Sequence, residues 1–295
     1  MGDVTAGYGV RSERTPRVSV VIPALNEERN LAYVASRMPP GIDEIVFVNG
    51  ASADNTAGLA RQMWPGAVHV QQSRRGKGNA LACGFAVASG DIIVMLDADG
   101  STDPAEIPLY VNALLAGADY AKGSRFIPGG GSADITRFRR FGNKGLNSLV
   151  NVLFAANFTD LCYGYNAFWR RCLDVITLPD VASTQAQWGD GFEVETLINT
   201  RVAASPLHVV EVASFESRRI HGVSNLNAPA DGFRVLTTIC REFSRSRSSV
   251  PRVMSPQSGR GRRLASIGQP RPCYTSVARQ SADGAGLMQT SGEGL

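Results

Sequence analysis

A chain of 295 residues, 43% of them hydrophobic, is long enough for one large domain or two small ones with a sizeable core. No stretch reaches the roughly 18 apolar residues of a membrane span, the N-terminus lacks a secretory hydrophobic region, and the five scattered cysteines form no Cys-x-x-Cys pair. That argues against a disulfide framework or a structural zinc site and suits a reducing cytoplasm. The net charge of +4 is uneven: from Arg241 onward nine Arg stand against three acidic residues, so the basic surplus belongs to the C-terminal end. It is weak evidence for nucleic-acid binding, and no nucleic-acid partner is expected.

Residues 1–16 are polar and expected to be disordered. Residues 17–22 predict a first strand, and Asn26-Glu27-Glu28 open a helix to about Met38, broken by Pro39-Pro40-Gly41. Residues 44–48 predict a second strand, and Asp54 caps a helix that ends before Pro65-Gly66. Residues 68–71 form a third strand, and Gly76-Lys77-Gly78-Asn79 leads a helix through Ala88. Residues 92–96 are a fourth, fully apolar strand that runs into Asp97-Ala98-Asp99. Asp103 before Pro104 caps a helix to Ala116, and residues 119–123 are strand.

The rhythm then changes. A Gly-rich loop, a long helix over 137–156 and short strands near Asp160 and over 165–169 are expected. A helix over 190–203, a strand over 207–215 and a last helix over 232–243 follow. Residues 244–295, rich in Ser and Arg, are expected to be a disordered tail. Strands alternating with helices predict an α/β fold with a mostly parallel sheet.

Asp97 and Asp99 would point to one side of the sheet at its C-terminal mouth, where such sheets bind ligands. Two adjacent carboxylates suit a hard cation, Mg²⁺ or Mn²⁺, that also holds phosphate oxygens. Three other clusters end neighbouring strands: Pro23 to Glu27, Asn49 to Asp54, and Arg75-Gly76-Lys77-Gly78. Each alone could be helix capping; together they outline a crevice for a nucleotide. Gly76-Lys77-Gly78 is not a P-loop, but its backbone could approach a ligand with Lys77 near phosphate. Arg125, Arg139 and Arg219 lie beside glycines in loops and could recognise phosphate. His69 and His208 fall in or beside strands and read as structural. No Ser/His/Asp triad is present.

These residues resemble family 2 glycosyltransferases of the GT-A fold. The likeness rests on Val18 to Glu27, Asn49 to Thr56, Gly76 to Ala80 and Asp91 to Asp99. Lys122 to Phe126, Arg139 with Gly142-Asn143, Asp190 to Glu195, and Arg219 to Leu226 resemble the dolichyl/polyprenyl-phosphate mannosyltransferase-like branch. It covers residues 17–243, a single domain with a nucleotide-sugar and metal half (17–123) and an acceptor half (124–243). It implies an inverting, metal-dependent transfer of one sugar from a GDP- or UDP-sugar. The acceptor would be a polyprenyl phosphate, met in the cytoplasm with a peripheral contact at the inner membrane face. By this resemblance Pro23, Leu25 and Glu27 line the nucleoside pocket, Asn49 faces the base, and Lys77 and Ala98 line the donor site. Asp97, Asp99 and Ser101 hold the metal; Asp99, Arg125, Arg139 and Arg219 act on the reacting phosphates.

The sequence departs from the family at Asn49, where Asp is usual, and at Ser101, where the branch often has Gln. Gln185-Ala186-Gln187-Trp188 also differs from the Gln-x-x-Arg-Trp of processive synthases. If the acceptor is instead a hydroxyl of a small molecule or glycan, a carboxylate must take its proton, and Asp99, Asp190 and Glu193 are candidates. A nucleotide-sugar-binding protein without turnover is the alternative of a different class.

Overall fold

The computed structural model describes residues 15–222, 228–248 and 275–277. Its centre is a twisted sheet in which β1 (Val18–Ala24) lies between β4 (Ile92–Met95) and β2 (Glu44–Asn49), with β3 (Val68–Gln71) beyond β2. All four run parallel, so their C-terminal ends share one edge. On the other flank β7 (Asn166–Trp169) runs antiparallel between β4 and β5 (Tyr120–Ser124). β8 (Val209–Ala213) pairs parallel with β5. A short β10 (Thr275–Val277) adds parallel to β8. β6 (Gly131–Ser132) and β9 (Phe215–Glu216) form a separate two-stranded ribbon.

Both sheet faces are buried, as the apolar runs require. Ile92 and Val94 point into one core, which packs against α1 (Leu31–Ser36), α2 (Thr56–Met63) and α4 (Ile107–Leu115). Ile93 and Met95 point into the other, beneath α3 (Lys77–Val87), α5 (Arg137–Phe154), α6 (Leu173–Ile176), α7 (Val194–Ala203) and α8 (Ala228–Ser248). The alternation of strand side chains fixes which helix covers which face.

The expected α/β architecture is met, with several boundaries corrected. The first helix begins at Leu31, not Asn26, because residues 26–30 are held as a loop by side-chain bonds described below. No strand forms near Asp160; that carboxylate turns inward to a buried guanidinium instead. Residues 190–193 form a loop before α7, because the carbonyl of Asp190 is used to cap α3. The strand over 207–215 splits at Ser214 into β8 and β9. The last helix continues to Ser248, so residues 244–248 of the expected tail are helical, and 275–277 are strand. The disorder expected for 1–14, 249–274 and 278–295 lies outside the described residues.

Candidate active site

The loops after β1 and β2 are zipped together by short polar side chains. Asn26 sits at φ 58°, which Asn tolerates, and its Oδ1 accepts from the Ala53 amide at 2.7 Å. Its own amide donates to Ser52 Oγ at 3.0 Å. Thr56 Oγ1 accepts from the Glu27 amide, and Asp54 accepts from the Thr56 and Glu28 amides. Asp54 is therefore a bracket between two loops, not only a helix cap. Asn49 Nδ2 donates to Gln71 Oε1 at 2.9 Å, and its Oδ1 accepts from the Ser52 amide at 3.2 Å. These bonds explain why Asn, Ser, Asp and Thr crowd both turns: each supplies an acceptor for an amide that no helix or strand satisfies.

Gly76 and Gly78 are demanded by close approach. A Cβ on Gly76, at φ +120°, would stand 2.0 Å from the Asp190 carbonyl oxygen, and one on Gly78 would stand 1.8 Å from that of Gly189. The Gly78 amide donates to the Asp190 carbonyl at 2.8 Å. The Asp190 carboxylate grips Arg74 with two bonds of 2.8 Å, both groups buried. Glu193 accepts from the amides of Gly189 and Gly191. Two of the three candidate general bases are thus occupied in tying the 189–193 turn to α3.

Beyond β4, Ala98 is buried while Asp97 and Asp99 on either side are half-buried, in a turn rather than in the strand itself. Each meets a cation. Lys77 Nζ lies 2.7 and 2.9 Å from the two oxygens of Asp97 and 2.7 Å from Glu195 Oε1. Arg219 lies 2.9 Å from Asp99 Oδ2 and 2.7 Å from Glu27 Oε1. Asp99 Oδ1 accepts from the Ser101 amide at 2.9 Å. Each cation therefore bridges one of the paired aspartates and one glutamate from elsewhere. Burial pushes the Glu195 and Glu27 carboxyls up, and the neighbouring cations only partly offset it. Burial would lower Lys77, but Asp97 and Glu195 outweigh it and hold it above the usual lysine range.

A strap of residues 217–221 crosses this mouth. The Ser217 amide donates to the Ser101 carbonyl at 2.8 Å. The His221 amide and carbonyl both bond the Asn30 side chain, at 3.0 and 3.1 Å. Gly100, at φ +76°, lets Ile220 lie against the turn; a Cβ there would come within 2.7 Å of Ile220 Cδ1. A cavity of about 310 Å³ opens beside the strap, lined by Asn26, Glu28, Asn30, Asp54 and His221 among others. A larger one of about 430 Å³, lined by Asp91, Trp169 and Arg170, lies where β1 and β4 begin and shares none of these groups.

The structure brings together Glu27, Lys77, Asp97, Asp99, Ser101 and Arg219, and places Pro23 and Asn49 at the C-terminal ends of β1 and β2 and Leu25 on the loop after β1. Ala98 contributes no side chain to the mouth, because it faces the core. Arg125 is corrected. It is buried, bidentate to Asp160 at 2.6 and 2.9 Å and bonded to Glu216 at 2.9 Å, so it stands as a framework ion pair joining β5 to β9. Arg139 sits in the first turn of α5 and pairs with Asp134 at 2.9 Å. Glu195 and Asn30 were missed by sequence reasoning: their partners are 118 and 191 residues away, and only their place in polar-apolar motifs could have marked them.

Residues 19–177 match the family model for glycosyl transferase family 2. The chain belongs to that family. It is 33% identical over 223 residues to the polyprenol monophosphomannose synthase of Mycolicibacterium smegmatis, covering 72% of this chain and 82% of that one. It is 30% identical over 221 residues to the undecaprenyl-phosphate mannosyltransferase of Micrococcus luteus, covering 70% and 89%. Among solved structures it is similar in fold to glucosyl-3-phosphoglycerate synthase of Mycobacterium tuberculosis. A complex of that enzyme with Mn²⁺, UDP and phosphoglyceric acid gives a TM-score of 0.59 and 24% identity, covering 77% and 78%. The expected family, its polyprenyl-phosphate mannosyltransferase-like branch, the GT-A fold and the enzyme class, a family 2 glycosyltransferase of hexosyltransferase type, are all met. Among the described residues no helix is long and apolar enough to cross a membrane.

Proposed function

We propose that this glycosyltransferase moves one sugar, with inversion, from a GDP- or UDP-sugar to a polyprenyl phosphate, with Mg²⁺ or Mn²⁺ held at Asp97 and Asp99. The observation that carries this reading is the pair of carboxylates at the end of β4, each compensated by a cation that has a second carboxylate at hand. No group of three or more His, Cys, Asp or Glu among the described residues could hold a metal alone. Two carboxylates, with Ser101 in the same turn to add an oxygen, suit Mg²⁺ or Mn²⁺, which take few protein oxygens and complete their shell with water and substrate phosphate. Such an ion, when bound, neutralises charge growing on the departing diphosphate.

The chain's own residues do the rest. Pro23 and Leu25 offer apolar surface to the nucleoside, Glu27 and Asn49 offer polar contacts, and Lys77 and Arg219 meet the diphosphate or the acceptor phosphate. Ala98 would act through its backbone. Arg139 is accessible enough to meet a phosphate, whereas Arg125 serves by holding β5 and β9 in place.

The relatives' names point to a lipid-phosphate acceptor, and two features favour it here. A phosphate acceptor is already anionic and needs no general base, and Asp190 and Glu193 are both engaged in the 189–193 turn. Helix α5 also presents Phe138 and Phe141, 73% and 79% exposed, among the exposed cations Arg137, Arg140 and Lys144. An apolar pair ringed by cations suits an anionic lipid surface, which would place the enzyme peripherally at the inner membrane face of the cytoplasm. Flotation with vesicles containing phosphatidylglycerol should capture the wild type, and Phe138→Ser with Phe141→Ser should release it.

The deciding experiment is calorimetric titration of GDP and UDP, with and without Mn²⁺, into the wild type and Asp99→Ala, followed by transfer from the matching nucleotide-sugar to a short polyprenyl phosphate. Metal-dependent binding of one nucleotide, lost in Asp99→Ala, is expected. Binding indifferent to metal and to Asp99 would overturn the reading.

A further inference from the structure

Lys77 spends its three ammonium protons on a single task. Its Nζ lies within hydrogen-bond distance of both oxygens of Asp97, at 2.7 and 2.9 Å, and of Glu195 Oε1, at 2.7 Å. With an ammonium against both of its oxygens, the Asp97 carboxylate has its charge largely compensated and offers a metal a weaker ligand until Lys77 moves. The move required is short. Glu195, at the start of α7, is buried beside it, and the backbone at Gly164 roofs the pair: a Cβ there would stand 3.1 Å from Glu195 Oε1 and 3.3 Å from Lys77 Nζ. Lysine suits this role, because its ammonium is a point charge on a flexible stem and can change partners without the fixed fork of arginine.

Resting on the metal reading of Asp97 and Asp99, we propose that Lys77 is a resident counter-ion of Asp97 that competes with the incoming metal. Glu195 is the positioning residue that receives Lys77 when the metal takes its place. Lys77 keeps its charge throughout and stays within the mouth, where it is available to the donor diphosphate. Removing Lys77 therefore has opposite effects on the two ligands: metal alone binds better, and nucleotide with metal binds worse. Removing Glu195 leaves Lys77 with Asp97 as its only anionic partner and hinders the metal.

The test is a double-mutant cycle read by electron paramagnetic resonance of free Mn²⁺, with no nucleotide present, on the wild type, Lys77→Gln, Glu195→Gln and the double variant, with Asp97→Asn as reference. Lys77→Gln should bind Mn²⁺ about tenfold more tightly and Glu195→Gln about tenfold more weakly, and the double variant should match Lys77→Gln. Calorimetry of GDP and UDP with Mn²⁺ should show Lys77→Gln weakened. A mere change of local field would make the two effects cancel, returning the double variant to wild-type affinity; that result, or equal affinities in all four proteins, overturns the inference. The double variant leaves no unpaired buried charge, so it decides against the wild type even if a single variant does not fold. Loss of Mn²⁺ binding in Asp97→Asn with no effect at Lys77 or Glu195 sinks the inference alone. Binding independent of Asp97 sinks the metal reading with it.

Discussion

Arg219 and Asp99, 120 residues apart, meet at 2.9 Å where the strap over residues 217–221 crosses the end of β4. The same guanidinium reaches Glu27 at 2.7 Å, so one side chain ties the strap to the ends of β4 and β1. In the proposed function this fork, which now holds two anions, also meets the donor diphosphate. Arg219→Met should lower kcat about 100-fold, the cost of one lost charge contact to a reacting phosphate, with a loss of stability smaller than that of breaking a fully enclosed pair, because Arg219 itself is part-exposed. Steady-state transfer rates and a melting curve check it; a large fall in melting temperature with unchanged kcat would make Arg219 a structural tie.

Arg125 is expected to behave in the opposite way. Its pair with Asp160 is enclosed, and Asn143 Nδ2 adds a further bond to that carboxylate at 2.9 Å. Breaking a buried pair from one side leaves a bare charge, so Arg125→Met should cost roughly 3–5 kcal/mol in urea unfolding. Burial alone would raise the Asp160 carboxyl, but the Arg125 guanidinium overrides it and holds it below the usual aspartate range. A depressed carboxylate contributes stability that is complete above its unfolded pKa, near pH 4, and is lost as pH falls through the folded value. Wild-type stability should therefore drop below about pH 4. In Asp160→Asn the protein should start less stable and lose less over that window.

Gly76→Ala sets a Cβ against the Asp190 carbonyl and forces φ +120° on alanine. The expected loss is above about 2 kcal/mol, together with weaker nucleotide binding, because the 189–193 turn must shift off α3. Gly66→Ala, which meets nothing within 4 Å, is the control and should stay within about 0.5 kcal/mol of wild type. Equal effects at the two glycines would remove the argument for close packing at Gly76.

Asn49→Asp bears on the base contact. The amide now donates to Gln71, and a carboxylate at 49 would need Gln71 to turn its own amide and donate back. The charge strengthens any hydrogen bond from a base N–H, so nucleotide affinity should rise several-fold in matched calorimetry. No change would show that residue 49 does not contact the base.

The sequence by itself determined the strands and helices of residues 17–123 and the edge where their polar loops collect. Those features rest on local rules: apolar runs of strand length, Gly and Pro breaks, and side chains that alternate across a pleat. Asp97 and Asp99 were legible because they follow directly on the apolar run over residues 92–96 with a single residue, the inward-turned Ala98, between them. Residues 124–243 were less legible because their polar residues act at long range. Nothing in the sequence near Asp160 says that its partner is Arg125, nor that Asp190 belongs to Arg74 rather than to a substrate. Arg125 and Arg219 look alike as arginines beside glycines in loops; burial among carboxylates makes one a framework pair and leaves the other at the mouth. Only the tertiary structure decides which charges meet, because the energy of an ion pair depends on distance and solvent exposure, and neither is encoded in spacing along the chain.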